Sequence, residues 1–174
     1  AEAVPTQIFD WWNYGGITRD VMLVDVDPIY IENYICHLLP QPIGKKRQIE
    51  FSVKLNKADA GKEITLTIPE LKLKQTVTTN DEGKATMILT TLSSKKNAIQ
   101  LWSPESPKLY QVDICMDGQT LTDEIGFRTI EAKGKQILLN GNPIFLKGIC
   151  LHEEKTNGGG RANNTEDART LLSW

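Results

Sequence analysis

Cysteine is scarce. Cys36, Cys115 and Cys150 are the only three in 174 residues, and an odd set without metal-ligand spacing excludes a disulfide framework or a zinc knuckle. Free, mostly buried thiols are expected, with no metal. Long hydrophobic runs are missing too: none approaches the roughly 20 residues of a membrane span, so a membrane partner is excluded from the reading. An excess of one charge sign is also lacking. The 20 basic and 22 acidic side chains leave a formal net charge of -2, scattered along the chain, so there is no electrostatic footprint for nucleic acid or anionic lipid. The one basic run, Lys45-Lys46-Arg47, reads as a solvated loop. Residues 1–7 carry neither a basic start nor an apolar core, unlike a signal peptide. A leader removed upstream would leave the same beginning, so the compartment stays open.

What is present is the usage of a globular chain, 40% apolar and 24% charged. From residue 21 to about 130 apolar and polar residues alternate in short runs, the period-two signature of half-buried strands. The clearest runs cover residues 21–26, 29–38, 48–55, 63–68, 72–78, 85–91, 109–116 and 120–130. Ala60-Gly61, Asn80-Asp81-Glu82-Gly83 and Asp117-Gly118 punctuate them. Asp117-Gly118 is the strongest hairpin signal, because a tight turn with positive φ favours that dipeptide. Seven or so strands over about 100 residues fit an all-β, immunoglobulin-like antiparallel sandwich. An antibody-type domain would set a core Trp shortly after its first bridging Cys, whereas Trp102 lies far from Cys36. The expectation is therefore the fibronectin-like kind, without an intersheet disulfide.

After residue 130 the texture changes. Residues 136–147 read as a hairpin about Asn140-Gly141 with nearly continuous apolar flanks, a pattern that suggests burial on both faces. A polar, Gly-rich segment follows over 153–163, and 164–174 opens as a helix with Asn164 as N-cap and Asp167 in the first turn. Leu171, Leu172 and Trp174 need a partner surface, and an isolated helix of about ten residues is marginal in water. Both ends of the chain read as cuts.

Three stretches, in order, resemble the glycoside hydrolases of family 2. Asp10-Trp-Trp-Asn-Tyr-Gly-Gly-Ile-Thr-Arg-Asp-Val21 is similar to the motif near the end of the family's sugar-binding jelly-roll domain. Trp102-Ser-Pro-Glu-Ser-Pro-Lys-Leu-Tyr110 resembles the approach to the last strands of its immunoglobulin-like domain. Ile125-Gly-Phe-Arg-Thr-Ile130, then Ile137-Leu-Leu-Asn-Gly-Asn-Pro-Ile-Phe-Leu-Lys-Gly148 and His152-Glu153, resemble the passage into the catalytic barrel. The resemblance implies a jelly-roll remnant over 1–27, a sandwich over 28–130, and the hairpin, first strand and partial first helix of a (β/α)8 barrel over 131–174. It implies retaining hydrolysis of β-linked sugars by two glutamates on later barrel strands, which places the catalytic residues beyond Trp174. No cofactor is implied for this stretch.

By the same resemblance His152, at the C-terminal end of the first barrel strand, contacts the sugar in the first subsite, and Asp10 reaches toward substrate from the jelly-roll. Ordinary alternatives are a strand-end histidine and a loop aspartate that caps backbone amides. Arg19 and Arg128 resemble structural arginines at the domain borders, where a guanidinium fork ties carbonyls or carboxylates. Trp11, Trp12, Tyr14 and Trp102 read as packing residues more readily than as a sugar platform. Glu153 and Glu154 are adjacent, and neighbours on an extended chain point to opposite faces, so they cannot form the pair about 5 Å apart that a retaining mechanism requires. His37 beside Cys36 has no second pair at ligand spacing. Gly158-Gly159-Gly160 lacks the ending of a phosphate loop.

The expected identity is a non-catalytic stretch of a β-galactosidase, with a β-galactoside as the carbohydrate partner of the whole enzyme. A β-glucuronidase or β-mannosidase of the same family is the nearest alternative, and an independent carbohydrate-binding sandwich is the rival of another class. Uncovered apolar surfaces at the domain junctions predict self-association.

Overall fold

Regular alternation in residues 48–55 and 63–68 demands a strand pair that buries one face, and the computed structural model builds its core on them. It describes residues 16–17, 19–40, 46–91, 98–155 and 160–173, which fall into two compact units, Val26–Phe145 and the combination of Ala1–Asp25 with Leu146–Trp174.

In the larger unit, β1 (Ile31–Leu38), β2 (Gln48–Leu55) and β5 (Lys84–Thr90) form a three-stranded sheet in the order β1-β2-β5. A four-stranded sheet joins β3 (Glu63–Ile68), β4 (Leu73–Thr78), β6 (Tyr110–Met116) and β7 (Gln119–Ile125) in the order β4-β3-β6-β7. All pairings are antiparallel. Ile49, Phe51, Val53 and Leu55 of β2 share one buried cluster with Ile64, Leu66 and Ile68 of β3 and Tyr110, Val112, Ile114 and Met116 of β6. Each such aliphatic or aromatic side chain contributes about 1.5–3 kcal/mol of burial, so three central strands supply most of the drive. The two sheets make an all-β sandwich, as the alternation predicts.

Hairpin positions follow the turn dipeptides. Asp117 and Gly118 take φ of 48° and 83°, the positive pair that a primed two-residue turn needs, and β7 pairs with β6 from Met116↔Gln119 onward. Asn140 and Gly141 repeat the geometry at 53° and 83°. They join β9 (Gln136–Leu139) to β10 (Asn142–Pro143), and β8 (Ile130–Lys133) completes a small sheet in the order β10-β9-β8. The β8–β9 turn at Gly134, φ 61°, has no counterpart among the turns read from sequence.

Three expectations need correction. The run over 120–130 is not one strand: β7 ends at Ile125 and β8 starts at Ile130. Between them Gly126 lies against the Trp102 ring and Phe127 is buried in the core, so the chain leaves β6 to seat the phenyl ring. Residues 21–26 form no strand, and Val21, Met22, Leu23 and Val24 are exposed. Among the described residues they have no ladder partner to satisfy an extended backbone. The apolar flanks of the Asn140-Gly141 hairpin are buried only at Leu138 and Leu139, while Phe145 and Leu146 are exposed and residues 145–151 pair with no strand among the described residues.

The thiols also divide differently from expectation. Cys36 is buried, Cys115 half-buried and Cys150 exposed. Burial pushes the Cys36 thiol up to about 12, which keeps it protonated and unreactive at neutral pH.

The smaller unit holds α1 (Thr165–Leu172) and a loop closed by the antiparallel bridge Glu154↔Arg161. Asn164 is extended and its Oδ1 accepts from the Asp167 N–H at 2.8 Å, while Asp167 Oδ2 accepts from the Asn163 N–H at 3.3 Å. The first bond is the N-cap that the sequence predicts, and the second ties Asp167 to the residue before the cap.

Candidate functional site

In the smaller unit the chain at Glu153 runs beside the returning segment at Ala162, whose N–H donates to the Glu153 carbonyl at 2.9 Å. The Lys155 N–H closes the same loop on the Gly160 carbonyl at 2.9 Å. A cleft of about 780 Å³ opens here, lined by Ile17, Arg19, Asp20, Leu151 and Glu153 together with the segment that caps α1 and one side of that helix from Thr165 to Leu172.

Glu153 is the electrostatic centre of this cleft. Its Oε2 accepts from Arg19 Nη2 at 2.6 Å and from Arg161 Nη2 at 2.9 Å. The hydrogen bond from Arg19, then the one from Arg161, hold its carboxyl below the usual carboxylate range. A carboxylate held ionised between two guanidinium groups is a poor proton donor. Glu153 therefore acts as a tie between three chain segments. Lys155 Nζ lies 3.2 Å from Asp167 Oδ2 and extends the ionic lattice to the helix cap.

His152 is exposed and its carbonyl accepts from the Glu154 N–H at 2.8 Å. Leu151 and Glu153 line the cleft and His152 does not, the outcome expected of successive residues on an extended chain. Asp10, Trp11, Trp12 and Tyr14 lie outside the described residues, as do Gly158 and Gly159. The cleft thus brings together Arg19 and Glu153 from the residues singled out in sequence. Among the described residues no three His, Cys, Asp or Glu side chains group as metal ligands would.

A second organised region lies within the larger unit, around Trp102. The Trp102 N–H donates to the Phe127 carbonyl at 2.9 Å, and the Arg128 guanidinium lies 5.2 Å from the indole centroid while its Nη1 donates to the Gly126 carbonyl at 3.1 Å. A Cβ on Gly126 would stand 2.8 Å from Trp102 Cδ1, so glycine is required by the close approach of the ring. Asn140 Nδ2 donates to the Trp102 carbonyl at 3.0 Å, and Asn140 Oδ1 accepts from the Thr129 N–H at 3.1 Å. Trp102 and Arg128 are thereby drawn into one packed and hydrogen-bonded junction between the sandwich and the β9–β10 hairpin.

Sequence reasoning missed two residues that organise this region. Tyr110 is buried, its ring packs 5.6 Å from that of Phe127, and its hydroxyl accepts from the Gln100 N–H at 2.8 Å. The signal available was a tyrosine at the head of a core strand, the position of the tyrosine corner in sandwiches. Asn140 carries a turn signal, but nothing in a one-dimensional pattern shows that its amide faces Trp102.

Residues 30–128 match the family model described as Glycosyl hydrolases family 2. That span covers more than half of the chain. The chain belongs to this family. Among curated relatives, a putative beta-glucuronidase of Formosa agariphila is 31% identical over 157 residues, 86% of this chain and 15% of its own. A beta-galactosidase of Streptococcus thermophilus is 27% identical over 86% of this chain and 15% of its own. The chain thus spans a small part of the length of the family 2 relatives it matches. Of solved structures, the GH2 beta-galacturonidase from Eisenbergiella tayi bound to galacturonate superposes with a TM-score of 0.67 at 24% identity, over 93% of this chain and 29% of that one. The beta-glucuronidase of Bifidobacterium dentium complexed with coumarin-3-O-glucuronide gives 0.64 at 18%, over 82% and 24%. At these identities the two structures speak to the fold, and they agree with the family 2 assignment.

Proposed function

We propose that this chain is a non-catalytic stretch of a retaining β-galactosidase, in which the sandwich acts as a spacer between a sugar-binding domain and a catalytic barrel. The observation that carries the reading is the coincidence of the family match at 30–128 with the seven-stranded sandwich. A three-stranded sheet facing a four-stranded one supports its immunoglobulin-like description. In this reading residues 1–27 end the jelly-roll, 28–130 are the sandwich and 131–174 begin the barrel, with the catalytic glutamates beyond Trp174. The Glu153 tie to Arg19 supports a role in holding the jelly-roll end to the barrel start. Asp10 and His152 then meet one sugar of the substrate.

The test is made in the full-length enzyme with Asp10→Ala and His152→Ala. A fall of tenfold or more in kcat/KM for both, about 1.4 kcal/mol each, is the expected result, and unchanged values for both would sink the reading. Because a curated relative carries a glucuronidase name, β-glucuronidase is the second reading. Chromogenic galactoside, glucuronide and mannoside, assayed in parallel, separate the specificities. Calorimetric titration of the 174-residue chain with a galactoside should give no binding heat; saturable binding would promote an independent binding module. The exposed apolar residues at 21–24 and at Phe145 and Leu146 support self-association of the isolated chain.

A further inference from the structure

Both polar atoms of the Asn140 amide make a hydrogen bond. Oδ1 accepts from the Thr129 N–H at 3.1 Å and Nδ2 donates to the Trp102 carbonyl at 3.0 Å, while the Asn140 backbone N–H donates to the Thr129 carbonyl at 2.9 Å. One residue therefore joins three segments: the approach to β6, the link between β7 and β8, and the β9–β10 turn. The following residue is Gly141, which has no side chain to shield its backbone nitrogen from the Asn140 side chain. In an Asn-Gly pair that nitrogen attacks the amide carbon readily whenever the side chain is free to swing toward it.

We propose that Asn140 is a latent deamidation site, guarded by its own clasp, whose modification releases the β9–β10 hairpin from the sandwich. In the reaction the Gly141 nitrogen forms a bond to Asn140 Cγ, the Cγ–Nδ2 bond breaks, and Nδ2 leaves as ammonia with the proton lost by the Gly141 nitrogen. One water then opens the cyclic imide at either carbonyl to give aspartate or isoaspartate. No oxidant or reductant is needed. While the clasp is closed, rotation of the side chain toward the Gly141 nitrogen would break two hydrogen bonds and leave the Trp102 carbonyl and Thr129 N–H without these partners. Local opening of the turn is thus a precondition of reaction. The outcome is self-reinforcing. Aspartate at 140 would set a carboxylate oxygen where Nδ2 donates to the Trp102 carbonyl, turning an attraction into a repulsion, and isoaspartate would add a backbone atom to a two-residue turn.

The test follows the tryptic peptide 136–147 by mass spectrometry in the intact chain at mildly alkaline pH, beside the same peptide made synthetically. A second Asn-Gly pair, Asn157-Gly158, falls in a different tryptic peptide. Folded chain should deamidate at Asn140 about tenfold or more slowly than the free peptide, as two hydrogen bonds of ordinary strength imply. Gly126→Ala, which forces the Trp102 ring to move, should accelerate the reaction several-fold in chain that still shows the sandwich's unfolding transition. Arg128→Ala, which removes the cation over the ring, should give a smaller acceleration should the first variant fail to fold. Deamidated chain should exchange amide hydrogens faster over 136–143 than unmodified chain. Equal rates in folded chain and free peptide would overturn the proposal, as would folded variants that react at the wild-type rate.

Discussion

Tyr110 shows how a single residue ties a loop to the core. Its ring is buried at the head of β6 and its hydroxyl holds the Gln100 N–H. Tyr110→Phe keeps the ring and orphans the N–H, so a loss of about 1–2 kcal/mol is expected, read as a lower urea midpoint with an unchanged slope. Glu153 makes the residue-scale argument for charge. Its folded pKa is depressed by Arg19 and Arg161, so its contribution is present above the ordinary carboxylate range and is lost as pH falls through the lower folded value. The protection factors of the Lys155 and Ala162 amides, which are the exchange rates divided into the intrinsic rates at each pH, should therefore fall on acidification, and Glu153→Gln should remove that part of the pH dependence. Salt should weaken the contribution, because the pair is exposed. At this scale the sequence disclosed side-chain types but not their partners. Arg19 was legible as a residue suited to tying a carboxylate, whereas its choice of Glu153, distant in the chain, required the fold.

Among elements, the turns were the most legible, since backbone sterics act over a few residues. Asp117-Gly118 and Asn140-Gly141 both adopt the positive φ values that their dipeptides favour. Gly83 is stricter still: φ is 71° and a Cβ would lie 2.4 Å from the Lys57 carbonyl oxygen. Gly83→Ala should cost about 2 kcal/mol or more, because the obstacle is backbone and cannot rotate away; a thermal unfolding series against wild type checks this. The N-cap of α1 was equally visible, and Asn164→Ala should destabilise the helix by about 1 kcal/mol, seen as faster amide exchange over 165–172. Strand ends were less legible. Residues 120–130 alternate without a break, yet β7 stops at Ile125 because Phe127 is drawn into the core beside Tyr110.

For the whole molecule, the division into Val26–Phe145 and the remainder has an energetic meaning. The core cluster spanning β1 to β6 and Phe127 lies entirely within the larger unit. That unit should fold by itself. The excised segment 26–145 is expected to unfold in one cooperative urea transition with a slope of about 1–3 kcal/mol/M, checked by fluorescence and circular dichroism together. An excised segment with no cooperative transition would show that the core depends on residues outside it, whereas non-coincident curves would show a populated intermediate. The candidate cleft, by contrast, rests on ionic contacts and one helix cap, and on apolar side chains such as Ile17 and Leu172 that remain exposed.

The sequence by itself determined the all-β class, most strand positions, the tight turns, the helix cap and the family resemblance, because each depends on alternation, turn sterics or a local string of residues. Only the tertiary structure decided which strands share a sheet, where the last long run breaks, that residues 21–26 find no strand partner among the described residues, and that Arg19 meets Glu153 and Asn140 meets Trp102. Those outcomes follow from contacts between residues far apart in the chain, whose geometry is set when two sheets close on a common core and which no pattern within a short window contains.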